Sequence, residues 1–274
     1  MVEKIIACSD IHILNFKRLD EITNVLSSFI NECKNIVNIY SSNKVRIVIA
    51  GDIFQSKIEI SNEANTIAGW FFRELDKLAK TIVIAGNHDM LMSNISRLDS
   101  LTPIFSMSNF KNCIFLDKEL NYESGCLIDD NIVWCLYSSF DEFKKPNIDD
   151  IKKEYPNNTY VGLFHGELNG AKTDTGKVFE NGIDANYFND IDFGILGHIH
   201  KRQCIKKNGV NLVYCGSLIQ KDFGENISGH GYILWDVNTK TYSEHDINNP
   251  CKFYQFKISS YDDLDNDNEE LINL

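Results

Sequence analysis

Apolar positions in the first two-thirds of the chain follow two alternating rhythms. Lys4 to Ser9 is a short apolar run that reads as a strand. Leu19, Ile22, Leu26, Phe29, Cys33, Ile36 and Tyr40 then recur at steps of three and four, the signature of one face of an amphipathic helix. Val45 to Ala50 is a continuous apolar strand, residues 61–79 read as a second helix with Ile67, Phe71, Leu75 and Leu78 on one side, and Thr81 to Ala85 is a third strand. Strands joined by helical crossovers imply a parallel sheet covered on both faces. Beyond residue 110 the pattern turns strand-rich, with runs at Cys113–Leu116, Ile132–Tyr137, Tyr160–Phe164, Phe193–Leu196, Val210–Tyr214, Tyr232–Asp236 and Phe253–Lys257. These predict a second sheet stacked on the first and sharing a core with it. No internal repeat and no Pro/Gly/Ser-rich linker interrupts the chain.

A chain of 274 residues with 43% hydrophobic and 24% charged residues has the composition of a globular protein large enough to build its own core. No stretch reaches the ~18–20 apolar residues of a membrane span, and the start, MVEKIIACSD, lacks the pattern of a secretion signal. The eight cysteines form no CxxC pair and several sit inside apolar runs, so reduced thiols in a cytoplasmic or nuclear-type compartment are expected. The net charge of −12 argues against a broad basic face. Half of it, however, comes from Asp262, Asp263, Asp265, Asp267, Glu269 and Glu270. Residues 1–260 are therefore expected to form the folded domain and 261–274 an acidic tail or linker.

Five short motifs hold nearly all the unusual polar residues: Asp10-Ile11-His12, Gly51-Asp52, Gly86-Asn87-His88-Asp89, His165-Gly166 and Gly197-His198-Ile199-His200. Each starts where an apolar strand stops, and loops after strand carboxyl ends converge on one crevice in α/β sheets. If the backbone there is extended, residues i and i+2 face the same way, so Asp10 and His12 can approach one ion together, as can His198 and His200. Carboxylate, amide oxygen and imidazole donors suit manganese, iron or zinc. The donors are too many for one ion, and two ions sharing a bridging carboxylate fit, with Asp52 the natural bridge. Of the seven histidines five fall in these motifs; His230 and His245 are expected to be structural or on the surface.

The order of motifs resembles the calcineurin-like metallophosphoesterase superfamily, whose pattern is DxH, GD, GNHD/E, H and GHxH, across residues 10–200. The resemblance implies a four-layer α-β-β-α sandwich of two mixed sheets flanked by helices. It also implies one metal held by Asp10, His12, Asp52 and His200, and a second held by Asp52, Asn87, His165 and His198. His88 would stand beside the pair as proton or hydrogen-bond donor to the phosphate, with Asp89 orienting it. Two divalent cations are implied, manganese first, with magnesium, iron and zinc as alternatives.

The downstream sequence narrows the branch. His165-Gly166-Glu167, Tyr214-Cys215-Gly216-Ser217-Leu218-Ile219-Gln220 and Asp222-Phe223-Gly224-Glu225 look like the SbcD-type double-strand-break nucleases. The GHGY and WD stretches (Gly229–Tyr232, Trp235-Asp236) are similar to SbcD-like endonucleases of large DNA viruses and phages, so that the likeness extends over about residues 3–258. It implies a two-metal phosphodiester hydrolase acting on DNA, exo- or endonucleolytic, in repair, recombination or replication, and a viral protein acting in a host cell is compatible with it. Gln55 stands where that branch usually has histidine or aspartate; it can hydrogen-bond a phosphate but cannot carry its proton. Lys201, Arg202, Lys206, Lys207 and Lys221 are the candidate phosphate contacts. Trp70, Phe71 and Phe72 are candidates for a homodimer face. An SbcC-type ATPase is a further candidate partner, although the capping and docking regions of that branch are not recognised in these residues; no membrane partner is expected. A small-substrate phosphodiesterase or phosphatase acting on nucleotides is the alternative function, and a non-catalytic module on the same fold is a third.

Overall fold

The structure, a computed structural model, describes residues 1–254. The segment expected to be an acidic tail, 261–274, lies outside the described residues, as do residues 255–257 of the strand expected at Phe253–Lys257. Phe253 and Tyr254 themselves belong to no strand. In chain order the elements are β1 (Lys4–Cys8), α1 (Leu19–Tyr40), β2 (Val45–Ala50), α2 (Asn62–Asp76), β3 (Lys80–Ile84), α3 (Thr102–Met107), β4 (Cys113–Phe115) and α4 (Leu116–Glu119). There follow β5 (Gly125–Asp129), β6 (Ile132–Tyr137), α5 (Asp149–Glu154), β7 (Thr159–His165), β8 (Phe193–Gly197), β9 (Gln203–Lys207), β10 (Val210–Tyr214), β11 (Gly231–Asp236) and β12 (Thr241–Asp246).

The strands form two six-stranded sheets, ordered β12-β11-β1-β2-β3-β4 and β5-β6-β7-β8-β10-β9. In the first, β1 to β4 run parallel out to the β4 edge, and β11 and β12 add antiparallel pairings at the other side; in the second, β6, β7, β8 and β10 run parallel between antiparallel β5 and β9. Alternation along the central strands divides the interior into layers. Ile6, Cys8, Ile47 and Ile49 point to α1 and α2, packing on Leu26, Phe29, Phe71 and Leu75. Their neighbours Ile5, Ala7, Val48 and Ala50 point to the other sheet, meeting Trp134, Leu163, Phe193 and Ile195. The outer face of the second sheet, with Cys135, Phe164, Leu196 and Tyr214, is covered by Ile148, Ala185 and Phe188. The chain is thus an α/β four-layer sandwich. Its second outer layer is thin, built from the six-residue α5 and a 3-10 turn at Ala185–Phe188 rather than from long helices.

Helix α1 runs over the periodic stretch and buries Ile22, Leu26, Phe29, Cys33 and Ile36. Helix α2 is N-capped by the Ser61 hydroxyl, which accepts the Ala64 N–H, and ends at Asp76. Phe71 and Phe72 are fully buried on α2 and Trp70 is half-buried against the same core, so of this aromatic triplet only Trp70 keeps exposed surface. The eight cysteines are free thiols, and no helix among the described residues is long and apolar enough to cross a membrane.

Candidate metal centre

The carboxyl ends of β1, β2 and β3 in one sheet and of β7 and β8 in the other open onto the same place. The Asp10–Ile13 loop continues β1 alongside the loop after β2, with Asp10 N–H bonded to Gly51 O at 3.0 Å and His12 N–H to Asp52 O at 3.0 Å. The two sheet ends meet so closely that a Cβ on Gly197 would lie 2.1 Å from Ala50 O. One on Gly51 would lie 2.4 Å from His165 Nδ1, and one on Gly86 2.1 Å from Asp52 Oδ1. The glycine before each of Asp52, Asn87 and His198 is therefore a packing requirement.

Asp10, His12, Asp52 and His198 all have positive φ, at 52°, 51°, 54° and 92°. Non-glycine residues rarely adopt this conformation, and it concentrates where function fixes the backbone. The backbone is thus not the extended one expected, and the pairing inferred from i and i+2 spacing holds for one motif and fails for the other. Asp10, His12 and His200 group together with donor atoms within 4.8 Å of one another. His198 joins Asp52 and His165 instead, and His12, Asp52 and His88 form a third group.

Asp52 lies between the groups. Its Oδ1 accepts the His88 backbone N–H at 2.7 Å. Its Oδ2 faces His12 Nε2 at 3.6 Å and His165 Nε2 at 3.3 Å. One oxygen, not two shared out, is thus common to both sides. Asp10 Oδ1 stands 3.9 Å from His12 Nε2 and 3.7 Å from His200 Nε2. Its carboxylate also accepts the His198 backbone N–H at 3.1 Å and the Ser9 hydroxyl at 2.5 Å. On the other side Asn87 Oδ1 lies 2.7 Å from His198 Nδ1.

The donors suit cations. His165 Nδ1–H donates to Ala50 O at 2.7 Å, so a neutral ring presents a bare Nε2. That Nε2 is buried and without a hydrogen-bond partner, as is Nδ1 of His12. His12 Nε2 and His200 Nε2 are 3.0 Å apart; two donors each ~2.1 Å from one ion and at right angles to it stand about 3 Å apart. Burial disfavours a charge on His165, but Asp52 outweighs it and carries the ring up to about 10. His198, buried and facing His165, is pushed down to about 3. Burial raises the Asp52 carboxyl, yet His165 and His12 hold it well below the ordinary carboxylate range.

The calcineurin-like phosphoesterase family profile matches residues 3–202. The chain belongs to this family. Among curated proteins the chain is 34% identical over 258 residues to "Uncharacterized protein R555" of Acanthamoeba polyphaga mimivirus, across 91% of this chain and 18% of that protein. It is 24% identical over 275 residues to the SbcD component of the nuclease SbcCD of Staphylococcus saprophyticus, across 86% of this chain and 66% of that one. The chain therefore spans under a fifth of the viral protein and about two-thirds of the nuclease component. Among solved structures an archaeal phosphodiesterase is similar at 16% identity and a TM-score of 0.38, over 88% of this chain and 98% of that one.

Other residues singled out in the sequence are placed differently. Asp89, buried and pushed up to about 7 by burial and the Asp52 charge, does not orient His88. It accepts the backbone N–H groups of Ile53 at 3.0 Å, Phe54 at 3.1 Å and Gly86 at 2.9 Å, lacing the GD and GNHD loops together. His88 is held instead through Nδ1–H to the main-chain oxygen of Gln55 at 2.7 Å. Gln55 thus contributes its carbonyl, while its side-chain Oε1 is buried without a partner. Arg202 is engaged within the protein: its side chain is 6% exposed and bonded to Asp246 Oδ1 at 2.8 Å and His245 O at 3.2 Å. Lys206 and Lys207 close β9 at the end away from the site, about 10–13 Å from its start at ~3.3 Å per residue. Lys201 and Lys221 do line a cleft of about 300 Å³ with His198, His200, Thr173 and Thr175. His230, as expected, is structural, lying 2.6 Å from Asn226 O and 2.9 Å from Ser217 Oγ. Two carboxylates given no role from sequence stand in contact with the donors. Glu225 Oε1 lies 2.5 Å from His200 Nδ1, and Glu167 Oε1 3.5 Å from His198 Nε2. Their signal is present in the sequence, as the last residue of Phe223-Gly224-Glu225 and the residue after His165-Gly166.

Proposed function

We propose that this chain is a two-metal phosphodiester hydrolase acting on DNA, of the SbcD nuclease type. The observation that carries the two-metal part is the shared atom, Asp52 Oδ2, between a His12 side and a His165 side. Asp10, His12, Asp52 and His200 hold one divalent cation in this reading, and Asp52, Asn87, His165 and His198 the other. Manganese is the first candidate for both. Such a pair supplies charge neutralisation at the phosphate and a water acidic enough to attack near neutral pH. The protein's own part is positioning. The backbone clamps from Asp89 fix the two loops that carry Asp52 and Asn87. The Gln55 carbonyl fixes His88 by Nδ1, so Nε2 is the atom presented to substrate, and protonated there it donates to the leaving oxygen. Lys201 and Lys221 flank the same centre and supply the local positive charge that a chain of net charge −12 lacks overall.

The DNA assignment is supported by the relative named as part of a nuclease, whose match covers 86% of this chain. One observation favours a second reading, hydrolysis of nucleotide-sized phosphoesters. Beside His165 and His198 a recess of about 420 Å³, lined by Phe143, Phe164, Glu167 and Asn181, is the size of a small-ligand pocket. A manganese-dependent assay on linear duplex DNA, single-stranded DNA and bis-p-nitrophenyl phosphate separates the two. Cleavage of DNA that is lost in Asp52→Asn supports the nuclease. Turnover of the small ester with DNA untouched supports the second reading, and metal uptake with no turnover of any substrate supports a non-catalytic module.

A further inference from the structure

We propose that Glu225 is a positioning residue for the metal centre, acting through His200; this rests on the reading of His200 as a metal donor. His200 reaches the centre with Nε2, which stands 3.7 Å from Asp10 Oδ1 and 3.0 Å from His12 Nε2. A neutral imidazole can offer that nitrogen to a cation only if its proton resides on Nδ1. Glu225 Oε1 lies 2.5 Å from Nδ1, a charge-assisted contact that keeps the proton there and fixes the rotation of the ring.

The other carboxylate oxygen has a different task. Oε2 accepts the Lys221 backbone N–H at 2.8 Å and lies 3.2 Å from Ser217 Oγ. One carboxylate thus joins a ligand ring to the loop 217–225 that also carries Lys221 to the mouth of the site. The side chain is 10% exposed, so water competes little for either oxygen. If Glu225 served merely to close its loop, Oε2 would suffice, because that loop has separate anchors. Arg18 donates to Gln220 O at 2.8 Å and Lys221 O at 3.1 Å, and the Gln220 side chain donates to Glu225 O at 3.1 Å and to Phe253 O at 3.2 Å. Oε1 is directed at the ring instead. Carboxylates in this position raise the basicity of a ligand imidazole and hold its tautomer, and their loss weakens metal binding about 10- to 100-fold in comparable centres.

The test is manganese titration by calorimetry on the whole chain, with melting of the metal-free protein alongside. Glu225→Ala is expected to weaken one of the two binding events about 10- to 100-fold and leave the other at its wild-type value. Glu225→Gln keeps an oxygen that accepts from Nδ1–H and is expected to recover most of the loss. Wild-type affinities for both ions in Glu225→Ala, or a Gln variant as weak as the Ala variant, would overturn the proposal. Should Glu225→Ala not fold, nitrogen-15 shifts of the His200 ring in the metal-free wild-type protein decide. Read at a pH where the ring is neutral, a proton on Nδ1 upholds the assignment and a proton on Nε2 overturns it. Because these readouts need no substrate, a chain that binds manganese as described but spares DNA refutes the nuclease reading alone.

Discussion

His165 Nε2 faces Asp52 Oδ2 across 3.3 Å, although the two residues come from different sheets. Asp52 follows β2 and His165 ends β7. Their approach depends on the missing side chains of Gly51 and Gly86, whose Cβ atoms would collide with His165 and Asp52 respectively. Without a cation the pair is charged. Burial opposes it, but Asp52 carries His165 up to about 10.

Metal uptake should therefore expel a proton. A ligating imidazole must be neutral, and His165 in the metal-free protein is protonated until the pH approaches about 10. Manganese affinity is expected to rise with pH below that point, by up to about tenfold per unit, and to level off above it. Calorimetry at pH 7.5 in two buffers of different ionisation heat should show about one proton released for the ion held by His165. No buffer dependence would mean that His165 is not a ligand or is not protonated beforehand. In the metal-free protein the raised ring also stabilises the fold fully below the unfolded-state value of ~6.5, and this contribution is lost as pH rises through about 10.

Gly86→Ala tests the close approach. Its Cβ would stand 2.1 Å from Asp52 Oδ1 and 2.3 Å from Asp52 N, so backbone must move. Overpacking of this kind costs ~1–3 kcal/mol, and here it displaces the carboxylate shared by both donor groups. The expected result is a folded protein with a lower urea midpoint that binds fewer than two manganese ions. An alanine variant that binds both ions normally would show that the cradle is slack.

What can be read from sequence follows the physics of burial. The central strands are apolar on both faces and stand out as runs, and α1 is legible over Leu19–Tyr40 from its periodicity. The strands that escape notice, β5, β9 and β12, all lie at sheet edges. With one side facing water they mix polar and apolar residues, as Gln203–Lys207 and Thr241–Asp246 do, and no run betrays them. Within the site, the motif residues are legible because metal donors are chemically unusual. Their partition is not: the left-handed conformation at His198 sends its ring away from that of His200, and spacing alone carries no sign of φ. Asp89 and Arg202 mislead for a related reason. A carboxylate beside a histidine and a guanidinium after a motif look functional in one dimension, whereas folding commits them to backbone N–H groups and to Asp246.

His88→Ala separates chemistry from metal binding. The backbone N–H that His88 gives to Asp52 at 2.7 Å survives the substitution, so the shared carboxylate keeps its support. Loss of a positioned proton donor costs about 10²- to 10⁴-fold in rate. The variant is expected to bind manganese as the wild type does and to lose turnover by that range. Loss of an ion instead would move His88 into the donor set, alongside His12 and Asp52, with which its ring nitrogen is grouped.

At the far end of the strands a buried ion pair ties the two sheets, and its removal should affect stability without touching the site. Arg46 on β2 donates to Asp129 on β5 through Nε at 2.7 Å and Nη2 at 3.0 Å. Lys80 Nζ at 3.0 Å and Trp134 Nε1 at 3.1 Å complete the shell of that carboxylate. Burial alone would raise Asp129, but Arg46 and then Lys80 bring it down to about 2. Its stabilisation is thus present above the unfolded carboxylate value of ~3.9 and is lost as pH falls through about 2. Asp129→Ala leaves the Arg46 guanidinium buried and unpaired, which costs ~3–5 kcal/mol where a partner of a buried pair is removed. Replacing both, Arg46→Met with Asp129→Leu, removes the stranded charge and should be less destabilising than Asp129→Ala alone. Urea unfolding of the metal-free variants measures both effects, and a double variant no more stable than the single one would show that packing, not charge, holds this junction.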